Sequence, residues 1–285
     1  IVAKLTGIPI RLHTFTGQVW ATKTGLMKSL LQFLDKIIVT LNTHCYTDSP
    51  SQRQYLIDSK IASKDNLSTY SHGSLAGVDL KRFSPQRFDE AHKIKIRQAL
   101  NIKDNIFVLT FIGRLIKDKG IYELLASFER IQSKFPNVHL IILGPMEEND
   151  SFKLLNTINN LSTVHWLGNV SEPEQYLSIT DVLCLPSYRE GFGTVVIEAA
   201  AMGVPTVGSK ISGLVDAIED GVTGLLVPKQ NEKKFALALE KLIVDPNYLQ
   251  KMKVSTKECC ELHFDSKKVN ACVEKEYLKW LKLMV

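Results

Sequence analysis

From residue 106 onward the sequence alternates between short, continuously apolar segments and longer segments with helical periodicity. Six apolar segments are expected strands: IFVLTFIG, VHLIILG, VHWLG, DVLCLPS, VPTVGS and GLLVP. Amphipathic stretches such as GIYELLASFERIQSKF and NEKKFALALEKLIV separate them. Strands without polar alternation are typical of parallel sheets that helices cover on both faces. The sequence therefore predicts an α/β fold with a doubly wound parallel sheet.

The first part of the chain shows a weaker form of the same alternation. The expected strands there are residues 8–12, 36–41 and 67–71, and the expected helices are residues 24–34 and 48–58. The segment that follows, GSLAGVDLKRFSP, is rich in glycine and turn-forming residues and ends in a proline, which is typical of a linker.

These segments divide the chain into two expected Rossmann-like domains. The first covers residues 1–85 including the linker, and the second covers residues 86–265. Residues 266–285 are expected to form a helix that packs back towards the first domain. The sequence begins at Ile1 and has no signal-peptide pattern, so the first domain is expected to be incomplete at its N-terminal side.

Composition excludes several other classes of protein. Hydrophobic residues make up 45% and charged residues 23% of the chain, as in folded globular proteins, and no apolar run approaches the roughly 18–20 residues of a membrane span. The cysteines lack disulfide or metal-ligand spacing, so we expect five free thiols in a reducing, cytoplasmic compartment. A net charge of +5 permits binding of phosphates but does not indicate nucleic acid.

The first motif with chemistry is GRLIKDKG, residues 113–120, which connects an expected strand to an expected helix. Ligands of doubly wound sheets bind at the carboxyl ends of strands. Arg114 offers a planar fork and Lys119 a point charge, and both suit phosphate oxygens. The alternative interpretation is a solvated basic loop.

The second motif is YREGFGTVVIEAAAMG, residues 188–203, which follows another strand and opens a helix. Gly191 and Gly193 would let the backbone approach a ligand, and the amides at the helix N-terminus would favour negative charge. Glu198 lies within an otherwise apolar helix, where a carboxylate is costly unless it has a partner. Glu190 and Glu198 are therefore candidate ligands for sugar and ribose hydroxyls. The alternative is a glycine-containing turn with an exposed glutamate.

Taken together, GRLIKDKG, LPSYREGFGTVVIEAAAMGVPTVGS and GVTGLLVP resemble the donor half of family-4 retaining glycosyltransferases with the GT-B architecture. The spacing from Glu190 to Glu198 is similar to the E-x7-E pattern of that family. The segments RLHTFTGQVW, DSPSQRQYL and GSLAGVDLKRF resemble the bacterial branch that adds sugars to polyprenyl-linked glycans.

This resemblance implies a role for each matching residue. Arg114 and Lys119 would bind the donor diphosphate and stabilise the leaving group, Glu190 would face the donor sugar and Glu198 would bind the ribose. His13 occupies the position of an acceptor-domain histidine that faces the sugar, although a histidine satisfied by its neighbours is the simpler alternative. The remaining implied donor contacts are Gly191, Phe192, Gly193, Thr194, Val195 and Val196, with the base near Leu167 to Val170.

The expected function is transfer of a sugar, with retention, from a nucleotide diphosphate sugar (a UDP-sugar is favoured) to a hydroxyl of a polysaccharide or lipid-linked glycan. No cofactor and no metal are expected, because the sequence lacks the DxD pair of metal-dependent transferases and the two cationic side chains can replace a metal ion at the phosphates. Residues 23–41 combine apolar residues with lysines and could contact an anionic membrane, or could form a core helix running into a core strand.

Two alternatives remain open at this point. A nucleotide-sugar epimerase has a similar two-domain fold but acts without an acceptor. A donor-binding fragment would bind the nucleotide sugar without turnover. A NAD-dependent dehydrogenase is disfavoured, because no GxGxxG follows a strand with an acidic residue about 20 positions later.

Overall fold

The computed structural model describes residues 1–147 and 151–282, which contain two parallel sheets. The larger sheet contains six strands: β4 (Phe107–Ile112), β5 (Val138–Leu143), β6 (Val164–Trp166), β7 (Val182–Leu185), β8 (Thr206–Ser209) and β9 (Gly224–Val227). These correspond to the six apolar segments of the sequence, which confirms the predicted α/β class. Burial explains why they are apolar, since Leu109, Phe111 and Leu140 are fully buried.

The strand order of the larger sheet is β6-β5-β4-β7-β8-β9, with every pair parallel. The chain therefore moves outward in one direction from β4 and, after β6, returns to the other side of β4. Strands β4 and β7 are the neighbours at which the direction reverses. In open α/β sheets this topological switch point leaves a crevice at the carboxyl ends of the strands, where ligands bind.

Helices cover this sheet on both faces. They are α4 (Glu90–Ala99), α5 (Ile121–Lys134), α6 (Ser151–Asn159), α7 (Pro173–Leu177), α8 (Thr194–Ala201), α9 (Leu214–Ala217), α10 (Glu232–Val244) and α11 (Pro246–His263). One core cluster joins α5 and α10 to the sheet through Phe128 and Phe235. A second cluster joins α8 to the sheet and to the linker through Ile197, Phe83 and Phe88. The switch-point loops are thus supported from both faces.

The smaller sheet has the order β1-β2-β3, with strands β1 (Leu12–Phe15), β2 (His44–Thr47) and β3 (Leu67–Thr69). The helices in this part of the chain are α1 (Val2–Leu5), α2 (Gly25–Leu41) and α3 (Pro50–Asp58). Ser49 caps α3, because its side chain accepts a hydrogen bond from the Gln52 amide. The helix expected over 48–58 is therefore confirmed.

The prediction of a strand over residues 36–41 is wrong, because α2 continues through Leu41 and the strand follows at His44. The residues Ile37, Ile38 and Val39 favour strands, but Leu31, Ile38 and Val39 pack on one cluster with Phe15 and Trp20. That spacing belongs to one face of a helix, so packing overrides the local β propensity. The strand expected over 8–12 is likewise displaced to Leu12–Phe15.

The last described helix, α12 (Ser266–Lys282), contacts the smaller sheet. The indole Nε1 of Trp280 donates to the Tyr46 hydroxyl at 2.7 Å, and that hydroxyl donates to Glu276 at 3.2 Å. The ring of Tyr277 contacts Tyr70 edge-on. The chain thus returns to its first sheet after leaving the second. Residues 283–285 of the expected C-terminal helix lie outside the described residues.

Candidate functional site

Lys119 and Glu190 meet at the switch point of the larger sheet. Lys119 lies in the loop after β4 and Glu190 in the loop after β7, so their proximity follows from the pairing of these two strands. The Lys119 ammonium donates to Oε1 of Glu190 at 2.6 Å, and the Ser187 hydroxyl donates to the same oxygen at 2.8 Å. The structure therefore brings together two of the residues that the sequence singled out.

Arg114 follows the same strand as Lys119 but faces a different neighbour. Its guanidinium donates to Glu147 at 3.0 Å, and about half of both side chains is exposed. An ion pair this exposed contributes little to stability, about 0–1 kcal/mol. The Arg114 side chain is therefore available for a ligand at low energetic cost.

The loop from Glu190 to Gly193 ends at the N-terminus of α8. Gly193 adopts φ +85° and has no side chain to cap the helix. The first helical residues are Thr194, which is exposed, and Val195, which is partly buried. An uncapped helix N-terminus beside a cationic side chain favours an anion, because its amides and the macrodipole both carry positive partial charge.

The side chains of Phe192 and Val196 are part of the hydrophobic core. Both are buried in one cluster with Phe264, so only their backbone atoms can face a ligand. Leu167 and Val170, in the loop after β6, pack partly buried against another apolar cluster that includes Ile141. This loop follows β6 at one edge of the larger sheet, and the resemblance predicts the nucleotide base beside it.

Gly191 lies against the smaller sheet. A Cβ at this position would overlap the carbonyl oxygen of Thr16 and the carboxyl of Asp48. The Ser49 hydroxyl donates to the Gly191 carbonyl at 3.0 Å. The sequence analysis predicted that Gly191 lets the backbone approach a ligand. In the structure, the lack of a side chain at residue 191 is needed for contact between the loops of the two sheets.

Glu198 lies one turn inside α8, close to the ion pair of Arg82 and Glu174. Arg82 of the linker binds Glu174 through two hydrogen bonds of 2.9 and 3.0 Å. Burial raises the pKa of Glu198 to about 7, and the charge of Glu174 adds to this while Arg82 opposes it. Among the described residues, none donates a hydrogen bond to the Glu198 carboxyl. Its oxygens are thus free to bind a hydroxyl of a ligand.

His13 lies on β1 and is not brought to the Lys119–Glu190 pair. Its ring contacts Phe15 edge-on, with centroids 4.6 Å apart. Burial lowers the pKa of His13, and Asp35 on α2 opposes this shift. Thr16 and Gln18, which follow the strand, lie nearer to the crevice than His13 does, since they contact or face the loop at Gly191.

The sequence did not identify the acidic residues that join the two parts of the crevice. Asp216 of α9 accepts the Ser51 amide at 2.9 Å, and the Ser51 hydroxyl in turn accepts the Gly213 amide at 2.8 Å. Burial raises the pKa of Asp48 to about 7, with Asp216 and Glu190 adding to the effect. Asp48 and Ser51 belong to DSPSQRQYL, a segment that resembles the bacterial branch of the family, whereas Gly213 and Asp216 lie after β8 in a segment to which the sequence analysis gave no role.

Two parallel α/β sheets with a cationic, glycine-containing switch point facing the smaller sheet are the architecture of the GT-B fold, which glycosyltransferases share. Comparison with known families agrees, because residues 92–258 match the model of "Glycosyl transferases group 1". The chain therefore belongs to the group 1 glycosyltransferases and is an enzyme of that class.

Individual proteins extend the similarity beyond the family match. The chain is 32% identical to the capsular polysaccharide biosynthesis glycosyltransferase CapM of Staphylococcus aureus, over 99% of this chain and 73% of CapM. It is also 32% identical to a diphospho-undecaprenol N-acetylgalactosaminyltransferase of Campylobacter jejuni, over 59% of this chain and 44% of that enzyme. The structure of Anabaena HepE in complex with UDP superposes with a TM-score of 0.84 at 19% identity, over 98% of this chain and 74% of HepE.

The raised pKa of Glu198 makes a prediction about stability. A carboxyl whose pKa is higher in the folded than in the unfolded state stabilises the fold below about pH 4.5, and this contribution is lost as the pH rises through about 7. Glu198→Gln, which resembles the protonated acid, should therefore be more stable than wild type above pH 7, by about 1–3 kcal/mol. Thermal unfolding between pH 4 and 8.5 measures the difference. Glu129→Gln, an exposed change, is the control, and a Glu198→Gln difference that does not grow with pH would contradict this assignment.

Proposed function

We propose that this enzyme transfers a sugar from a nucleoside diphosphate sugar, UDP being the preferred nucleotide, to a hydroxyl of a bacterial polysaccharide or lipid-linked glycan. The main support for this proposal is the Lys119–Glu190 pair, which lies at the switch point of the larger sheet beside the uncapped N-terminus of α8. The UDP complex of HepE supports the choice of donor. The capsular polysaccharide biosynthesis in the name of CapM and the diphospho-undecaprenol in the name of the Campylobacter enzyme support the choice of acceptor.

In this proposal the diphosphate binds where positive charge is already concentrated. Arg114 and Lys119 contact its oxygens, and the first amides of α8 add their partial charges. Glu198 accepts hydrogen bonds from the ribose, and the base lies near Leu167 to Val170. As the bond from the anomeric carbon to phosphate breaks, these cations stabilise the negative charge of the leaving nucleoside diphosphate.

Glu190 is proposed to position the donor sugar rather than to attack it. Its Oε1 already accepts hydrogen bonds from Lys119 and Ser187, which lower its nucleophilicity and fix its orientation. The acceptor hydroxyl would attack the anomeric carbon from the side of the leaving group and pass its proton to the departing phosphate oxygen. The product then retains the anomeric configuration. His13 remains a candidate for the acceptor side, and no cofactor or metal is proposed.

Ligand-dependent thermal unfolding tests the donor assignment. UDP at about 100 times its dissociation constant should stabilise the protein by about 2.7 kcal/mol, whereas NAD should not stabilise it. Glu198→Ala should bind UDP about tenfold more weakly, because the ribose contacts are lost. A rise in the unfolding temperature with GDP or ADP instead of UDP would assign that nucleotide to the donor. A wild-type protein that unfolds cooperatively with no shift from any nucleotide would contradict the donor site.

Loss of Arg114 should affect transfer far more than folding. Arg114→Ala should lower the rate about 100-fold, the effect expected for removing one stabiliser of a developing anion, with little change in the unfolding temperature. Transfer from a radiolabelled UDP-sugar to a polyprenyl diphosphate glycan measures the rate. Anomeric proton couplings of the product report retention, and EDTA reports the need for a metal.

The control for that variant is Arg130→Ala, which breaks a similarly exposed pair with Glu232 (3.6 Å). Equal transfer rates for the two variants would show that Arg114 does not contribute to the site. An Arg114→Ala protein that fails to fold would show that the residue has a structural role. Conversion of the donor sugar without acceptor would favour the epimerase alternative, and UDP binding with no transfer to any acceptor would favour the donor-binding alternative.

We further propose that α2 contacts an anionic bilayer at the cytoplasmic face of the membrane. Among the described helices, none is long and apolar enough to cross a bilayer. The α2 helix nevertheless exposes Leu26 (91%), Leu30 (53%) and Phe33 (59%), with Lys28 and Lys36 on the same helix. An apolar face flanked by lysines suits the interface of an anionic membrane, where a lipid-linked acceptor would be found.

Co-sedimentation with vesicles tests this contact. Wild type should bind vesicles that contain phosphatidylglycerol, and Leu26→Ser/Phe33→Ser should bind them several-fold less because about two apolar side chains leave the bilayer. Leu237→Ser, which changes an exposed leucine on α10, is the matched control. Equal binding by the three proteins would contradict a role for α2.

A further inference from the structure

A cavity of about 290 Å³ lies between the loops of the two sheets, next to Glu190. The smaller sheet's part of the chain contributes Gln18, Gln52 and Tyr55, and the larger sheet contributes Glu190, Lys210 and Lys229. We call this space the interdomain cavity. It opens beside a second space of about 440 Å³, since Ala21, Tyr188 and Lys229 line both.

Lys210 and Lys229 stand side by side because of strand register. Ser209, the last residue of β8, pairs with Val227, the last residue of β9. Lys210 follows the first and donates its backbone amide to the Val227 carbonyl at 2.6 Å, while Lys229 lies two residues after the second. The two side chains therefore leave adjacent strand ends towards the same cavity.

The charges around the cavity leave these two lysines uncompensated. Glu190 is paired with Lys119 at 2.6 Å, and Asp118, in the neighbouring space, is paired with Arg189 at 2.9 Å. Lys210 and Lys229 are exposed, and neither forms an ion pair with a carboxylate of residues 1–147 or 151–282. The interdomain cavity thus carries two unpaired positive charges within reach of Glu190.

Strand order places these lysines away from the predicted nucleotide. The base is assigned to the loop after β6, at one edge of the sheet, and the diphosphate to the loops after β4 and β7. Strands β8 and β9 lie on the other side of β7. The loops that carry Lys210 and Lys229 are therefore separated from the predicted phosphate site by the loop of Glu190.

The opposite wall has an unpartnered polar group. The side-chain amide of Gln52 donates to Oε1 of Gln18 at 2.8 Å, and Nε2 of Gln18 has no partner among the described residues. Gln18 is only 5% exposed, so this costs stability unless a ligand supplies the missing hydrogen bond. A sugar hydroxyl can donate or accept and would satisfy the amide in either orientation.

We propose that the interdomain cavity binds the acceptor sugar together with an oxyanion that this acceptor carries, phosphate or carboxylate. Lys210 and Lys229 bind the oxyanion, and Gln18 binds a hydroxyl of the acceptor ring. The proposal rests on the proposed glycosyl transfer and adds the chemical class of the acceptor. Neutral glycans would bind this cavity less well, since they leave both ammonium groups unpaired.

Titration calorimetry in the presence of saturating UDP tests the proposal, because UDP fills the predicted phosphate site. The probes are glucose 1-phosphate, methyl glucuronide and methyl glucoside. Wild type should bind at least one charged probe about tenfold more tightly than the neutral glucoside. Lys210→Gln/Lys229→Gln should lose that preference and keep its affinity for UDP. Preference for the phosphate or for the glucuronide identifies which oxyanion the acceptor carries.

The control variant, Lys251→Gln/Lys267→Gln, removes two exposed charges outside the cavity and should behave as wild type. Equal binding of charged and neutral probes by wild type, or an unchanged preference in the cavity variant, would overturn the proposal. Weaker UDP binding in the cavity variant would overturn the proposal as well, since the two lysines would then bind the donor nucleotide. If wild type does not bind UDP, the proposed function fails separately, and the same titrations without UDP still decide whether the lysines bind oxyanions.

Discussion

The close approach of Gly191 to the smaller sheet is the contact on which the rest of the crevice depends. Because residue 191 lacks a side chain, its backbone can lie against Thr16 and Asp48, and Ser49 can donate to its carbonyl. Glu190 is the preceding residue, so the same contact fixes the position of the carboxylate that we propose faces the donor sugar. One short loop thereby joins the smaller sheet's part of the chain to the Lys119–Glu190 pair of the larger sheet.

The electrostatics of the crevice follow from strand order rather than from sequence neighbours. Lys119 and Glu190 are 71 residues apart, as are Arg189 and Asp118, and both pairs join the loops after β4 and β7. Each acid is compensated by a cation from the other loop, which keeps both loops ordered. A bound diphosphate would compete with Glu190 for Lys119 and would gain a partner that already points into the crevice.

The sequence predicts the larger sheet well because its strands are buried on both faces and are therefore continuous apolar segments in the sequence. The smaller sheet is predicted less well, since residues 36–41 combine β-branched residues with a helical stripe and only the packing of Ile38 and Val39 decides between them. The pairing of Lys119 with Glu190 could be expected from the motifs. The cavity formed by Lys210 and Lys229 could not, because it depends on the register of β8 and β9.

The burial of Glu198 supports the proposal that its carboxyl binds a ligand rather than stabilises the fold. Within α8 its neighbours Ile197 and Ala199 are buried, and burial beside Glu174 raises its pKa to about 7. An apolar residue there would fill the same space without this penalty. Arg82 compensates in part, but its two hydrogen bonds go to Glu174. A carboxylate within an apolar helix is a local conflict of the kind that occurs at functional sites, which is consistent with the proposed ribose contact of Glu198.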